Sequence, residues 1–153
     1  MTTISYHHDS KTIACDSRVS SGDVIESDTF EKWIHIENGD IMFLAGSLGD
    51  LEKFSQEFLP YKESEVYLNA VGYIVEKESN KVYRCGMHYD TKKFWKAPVN
   101  YSHASGSGMD HALTALDLGK TAKEALELAA KRDCKTGGKI HVYDIKRGEF
   151  VNE

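Results

Sequence analysis

The sequence predicts an α+β domain in which two stacked, mainly antiparallel sheets lie between helical layers. Three observations predict it. The elements run strands, a helix, strands, two helices, strands; hairpin turns join neighbouring strands; and one strand, Ile41-Met42-Phe43-Leu44-Ala45, is apolar at every position. Antiparallel sheets with helices packed outside them make layered α+β domains. A strand with no polar face is buried on both sides, as between two layers. With 153 residues the chain is read as one domain, residues 1–153, with a substantial core.

The elements follow in order. Thr2-Thr3-Ile4-Ser5-Tyr6 is rich in β-branched and aromatic residues, and a polar break at His8-Asp9-Ser10-Lys11 leads to Thr12-Ile13-Ala14-Cys15. Two such runs joined by a short polar turn read as a hairpin. Asp16 to Asp28 holds the turn formers Ser20, Ser21, Gly22 and Asp23. Trp33-Ile34-His35-Ile36 and Ile41–Ala45 flank Asn38-Gly39, a strong hairpin turn. Gly46-Ser47 opens a helix with Leu48, Leu51, Phe54, Phe58 and Leu59 at helical spacing, and Pro60 closes it. Residues 69–75, 81–85 and 93–95 read as strands.

After Ser105-Gly106-Ser107-Gly108 comes a helix with Met109, Ala112, Leu113 and Leu116 on one face and Gly119 as its stop. Thr121-Ala122-Lys123-Glu124 is a capping box opening the next helix, in which Thr and Glu satisfy each other's orphan amides. Gly137-Gly138 breaks the chain before the last strong strand, Lys139 to Ile145.

Bulk properties exclude several classes. The composition is 41% hydrophobic and 28% charged, with a formal net charge of −5 and no long basic run, which disfavours a nucleic-acid surface. No apolar stretch is long enough to span a bilayer, and the polar start lacks the pattern of a signal peptide. The three cysteines, Cys15, Cys85 and Cys134, fit neither a metal knuckle nor a disulfide framework, so reduced thiols in a cytoplasm are expected. His7-His8 and the His88/Asp90 pair lack the spacing and the third ligand of a metal site, and no cofactor is expected.

Chemistry begins at Thr2. Removal of Met1 leaves a threonine with its own α-amine, whose reference pKa is about 7.7–8.0. That amine can take the proton from the threonine Oγ, joining base and nucleophile in one residue. Met-Thr starts are common, so on its own Thr2 reads more readily as an ordinary small second residue; the downstream residues change that.

Those residues resemble the proteasome β subunit and the bacterial HslV-type peptidase, a family of N-terminal nucleophile hydrolases. The matching elements are Met1-Thr2-Thr3-Ile4, Ile13-Ala14-Cys15-Asp16 followed by Lys32, Gly46-Ser47, Gly106-Ser107-Gly108, and Arg132-Asp133-Cys134-Lys135-Thr136-Gly137-Gly138. In order, they span Thr2 to Gly138. The chain is shorter than typical members, mainly between Leu59 and Tyr101, and is most similar to the short proteasome-like proteins of bacteria and bacteriophages. It departs from the usual pattern at Cys15 and Cys134, where small residues are usual, and at Thr136, where serine is usual.

The resemblance implies an αββα sandwich and a set of roles. Thr2 is the expected nucleophile, with its amine as base. Lys32 steers the hydroxyl proton, and a nearby ammonium keeps the amine unprotonated. Asp16 holds Lys32, Gly46 offers its N–H to the oxyanion, and Ser107 with Asp133 forms a supporting pair. Each has a plainer reading. Asp16 and Lys32 make a surface salt bridge, Gly46 is a turn glycine, Ser107 is a helix N-cap, and Asp133 is a solvated residue at a helix end. A carboxylate there works against the helix dipole, which asks for a second reason.

The function so implied is a threonine peptidase degrading unfolded polypeptide inside a homo-oligomeric ring, fed by an ATP-dependent unfoldase. Two alternatives stand beside it. One is a small-molecule amidase on the same fold; the other is an inactive assembly or binding module that keeps Met1.

Overall fold

The computed structural model describes residues 2–151; Met1, on whose removal the expected chemistry depends, lies outside the described residues. The described chain forms two compact units. One comprises the residues up to Lys32 and those from Asn100 onward; the other is Trp33–Val99.

The first unit holds a five-stranded sheet ordered β10-β1-β2-β11-β12. Its strands are β1 (Thr3–His7), β2 (Thr12–Cys15), β10 (His103–Gly106), β11 (His141–Asp144) and β12 (Glu149–Val151), all paired antiparallel. Helices α2 (Met109–Asp117) and α3 (Ala122–Arg132) pack on it. Small side chains let them approach one another and the sheet: Ala104, Ala112, Ala115, Leu116, Ala125 and Ala129 form one buried cluster. Leu126 joins Ala14, Ala122 and Val142 in a second.

On β1, Thr3, Ile4, Ser5 and Tyr6 are all buried. Period-two alternation puts Thr3 and Ser5 on one face, and each hydroxyl there has a partner, the Ser5 Oγ donating to the Ala122 carbonyl at 2.7 Å. The capping box at Thr121 and Glu124 forms as the sequence predicts.

The segment between Asp16 and Lys32 contains a hairpin that turn-former counting does not resolve. Strands β3 (Val19–Ser21) and β4 (Val24–Ser27) make a two-stranded sheet around Gly22, at φ +57°. The local run has no clean polar–apolar alternation, and Val24 and Ile25 are exposed.

The second unit is a five-stranded antiparallel sheet in chain order: β5 (Trp33–His35), β6 (Ile41–Gly46), β7 (Ala70–Val75), β8 (Val82–Met87) and β9 (Phe94–Pro98). The helix α1 (Leu48–Glu57) packs on β6 and β7. Met42 and Leu44 of β6 cluster with Leu51, Phe54 and Phe58. Every residue of Ile41–Ala45 is buried, as its uniform apolarity predicts. Leu48 and Leu59, expected on the apolar face of the helix, are exposed: Leu48 is the first residue of α1, and Leu59 lies beyond its end, in the turn after the C-cap Phe58.

Candidate active site

Thr2 is 4% exposed and precedes β1 directly. Its carbonyl accepts the Ser107 N–H at 3.1 Å. Gly106, at φ +105°, lies so close to that carbonyl that a Cβ there has no room. The family-like Gly-Ser-Gly segment is thus fitted to the backbone of Thr2.

Asp16 follows β2 and is fully buried. One carboxylate oxygen accepts the Lys32 ammonium at 3.0 Å and the Thr3 N–H at 3.2 Å; the other accepts the Gly137 N–H at 3.0 Å. Lys32, 4% exposed, also donates to the Arg18 carbonyl. The surface-salt-bridge reading of this pair is therefore excluded. Burial lowers the Lys32 pKa below its ordinary value, against the attraction of Asp16. Burial likewise pushes the Asp16 carboxyl upward, opposed by Lys32 and the two backbone donors. Both shifts disfavour the charged forms.

Ser107 and Asp133 are hydrogen-bonded to each other. The Ser107 Oγ donates to Asp133 Oδ2 at 2.6 Å, and the Thr136 hydroxyl donates to the same oxygen at 2.6 Å. Ser107 is not the N-cap of α2; Gly108 holds that position. Asp133 is the C-cap of α3, and its Oδ1 accepts the Lys135 N–H at 3.1 Å. Partial burial raises its pKa, but the Ser107 and Thr136 hydroxyls, with the Lys135 N–H and ammonium, together outweigh this and hold it below the ordinary carboxylate value. Those donors are the second reason that a carboxylate sits against the dipole.

Gly46 belongs to the other unit, at the end of β6, with φ +143°. The Ser47 N–H donates to the Asn69 carbonyl at 2.9 Å, and a Cβ on Gly46 would run into that same carbonyl. Packing within its own unit already requires glycine here.

Sequence reasoning missed two residues. Thr3 is an ordinary β-branched strand residue in the sequence, yet its hydroxyl is a buried link between Gly108 and Thr136. Arg18 makes a two-pronged pair with Asp28, at 2.8 and 3.1 Å, and donates to the Cys134 carbonyl at 3.0 Å. It ties the turn after Asp16 to the loop after Asp133. No spacing signal distinguishes it, because its partners lie 10 and 116 residues away.

The chain matches no family model. Solved structures show its fold. Eukaryotic HslV from Trypanosoma brucei superimposes with a TM-score of 0.68 at 16% identity, covering 92% of this chain and 97% of that one. The Thiobacillus denitrificans BPH, solved in complex with epoxomicin, gives 0.68 at 16%, covering 94% and 97%. The fold is α+β and similar to that of HslV. Curated relatives are of another kind. The nucleoprotein of Newcastle disease virus (isolate AF2240) is 27% identical over 145 residues, 92% of this chain but 28% of that protein. The nucleoprotein of avian paramyxovirus 1 is 26% identical over 133 residues, 85% and 26% respectively. The chain thus spans under a third of the length of the curated relatives it matches.

Proposed function

We propose that the chain is a threonine peptidase in which Thr2, freed by removal of Met1, attacks an amide bond. The observation that carries this is the buried Asp16–Lys32 pair, whose shared carboxylate oxygen also grips the N–H of the residue after Thr2. Taking two charges out of water is costly, and well-packed apolar residues serve stability as well or better. A chain that keeps such a pair against its own first strand has a use for a partly desolvated ammonium. Lys32 assists the Thr2 hydroxyl, Asp16 positions Lys32, and Ser107 with Asp133 supports the amine. Gly46 as the oxyanion donor belongs to the same reading.

The fold supports this hydrolase class, since both solved neighbours share it. The nucleoprotein likeness, confined to a fraction of those proteins, carries no functional reading. With the hydrolase reading come a single domain over residues 1–153, the αββα layering, a short bacterial or bacteriophage type, a cytoplasmic setting, a homo-oligomeric ring and an ATP-dependent unfoldase. Among the described residues no helix is long and apolar enough to cross a membrane.

Intact mass before and after exposure to epoxomicin tests the proposal, the BPH complex motivating the probe. Loss of one methionine and a single adduct, absent in Thr2→Ala, establishes the nucleophile. Retained Met1 with no adduct overturns it and leaves the assembly module.

A further inference from the structure

Thr3 and Thr136 are fully buried hydroxyl residues. The Gly108 N–H, at the N-terminal end of α2, donates to Thr3 Oγ1 at 2.8 Å, and Thr3 Oγ1 lies 2.6 Å from Thr136 Oγ1. Thr136 Oγ1 in turn lies 2.6 Å from Asp133 Oδ2. The proton order along this chain is forced. An ionised carboxylate only accepts, and a hydroxyl has one hydrogen to give. Thr136 spends its hydrogen on Asp133, so Thr3 must donate to Thr136, and Gly108 supplies Thr3. Every hydrogen then points towards Asp133, with the positive end of the α2 dipole at the origin. Aligned chains of this kind polarise one another, and a gap in one leaves a buried acceptor unsatisfied.

The backbone of Thr3 is also held at both ends, its N–H by Asp16 and its carbonyl by the Asp16 N–H at 3.3 Å. One residue therefore connects both halves of the polar arrangement, touching Asp16 through its backbone and reaching the Asp133–Ser107 pair through its side chain and Thr136.

We propose that Thr3 is a positioning residue for the hydrolase reaction, its hydroxyl setting Thr136 and thereby the Asp133 carboxylate that Ser107 also holds. The inference rests on Thr2 being the nucleophile. Asp133 faces Ser107, Thr136 and Lys135, so loss of the Thr136 orientation is felt directly at its carboxylate.

The test compares wild type, Thr3→Val and Thr3→Ser in two measurements. One is the rate of adduct formation with epoxomicin, resolved into a limiting rate and a half-saturating concentration. The other is the Asp133 titration, followed by carboxyl-carbon NMR. Thr3→Val is expected to lower the limiting rate about tenfold with half-saturation unchanged, and to move the Asp133 titration upward. Thr3→Ser, which keeps the hydroxyl, recovers most of both. An unchanged rate and titration in Thr3→Val, with Thr2→Ala inert, overturns the role of Thr3 and leaves the nucleophile intact. No adduct in wild type, with the titration still moved, overturns the nucleophile and with it any catalytic part for Thr3. Should Thr3→Val not fold, wild type still decides: a Thr3 hydroxyl proton donated to Thr136 is protected from exchange and visible by NMR, and a fast-exchanging one overturns the chain.

Discussion

Asp16 and Lys32 face one another at 3.0 Å with side chains 0% and 2% exposed. Each is the other's neutralising partner, and each has further donors or acceptors on the backbone. Removing one partner leaves a buried charge, so Asp16→Asn and Lys32→Met are each expected to cost about 3–5 kcal/mol of stability. The double variant is expected to cost less than the sum. A urea-unfolding double-mutant cycle measures the coupling. Adduct formation at Thr2 is expected to fail in all three variants, which separates the chemical use of the pair from its structural one.

Asp133 gives a pH dependence of known sign. Its folded pKa lies below the ordinary carboxyl value. It therefore contributes stability that is complete above that ordinary value and disappears as pH falls through the folded one. The stability difference between wild type and Asp133→Asn is expected to be largest near neutrality and to shrink on acidification across the carboxylate range. Unfolding midpoints at a series of pH values measure it.

Gly106 and Gly119 both have positive φ, +105° and +85°, but only Gly106 is crowded. Gly119→Ala is expected to cost about 1 kcal/mol, the strain of a left-handed alanine. Gly106→Ala adds a collision with the Thr2 carbonyl. It is expected to cost more and to abolish adduct formation, whereas Gly119→Ala leaves the adduct in place.

The thiols are expected to sort by burial. Cys15 and Cys85 are fully buried, and burial pushes both thiols far up, while Cys134 is exposed. Iodoacetamide is expected to label Cys134 alone in the native protein and all three cysteines after denaturation, read by mass.

The parts legible in the sequence are those whose signals are local. The capping box at Thr121, the Asn38-Gly39 turn and the unbroken apolar run Ile41–Ala45 each stand in a few neighbouring residues, and each forms as read. The β3–β4 hairpin stayed hidden because its strands are short and half exposed. At the site, the Asp16–Lys32 and Ser107–Asp133 pairs came from resemblance rather than pattern. Ser107 illustrates why: its neighbours mark it as a helix cap, and only a partner 26 residues away shows otherwise. Thr3 and Arg18 carry no local mark at all.

Asp16 is held by Thr3, Lys32 and Gly137, at separations of 13, 16 and 121 residues. Two of those partners lie near Asp16 in the chain and one far beyond it. Closing so long a loop is the slow, entropically expensive contact in such a topology. A growing chain emerging from the ribosome therefore cannot complete the carboxylate's ring of donors until Gly137 has emerged. Until then the carboxylate has its lysine and its strand, but not the donor that closes its far side.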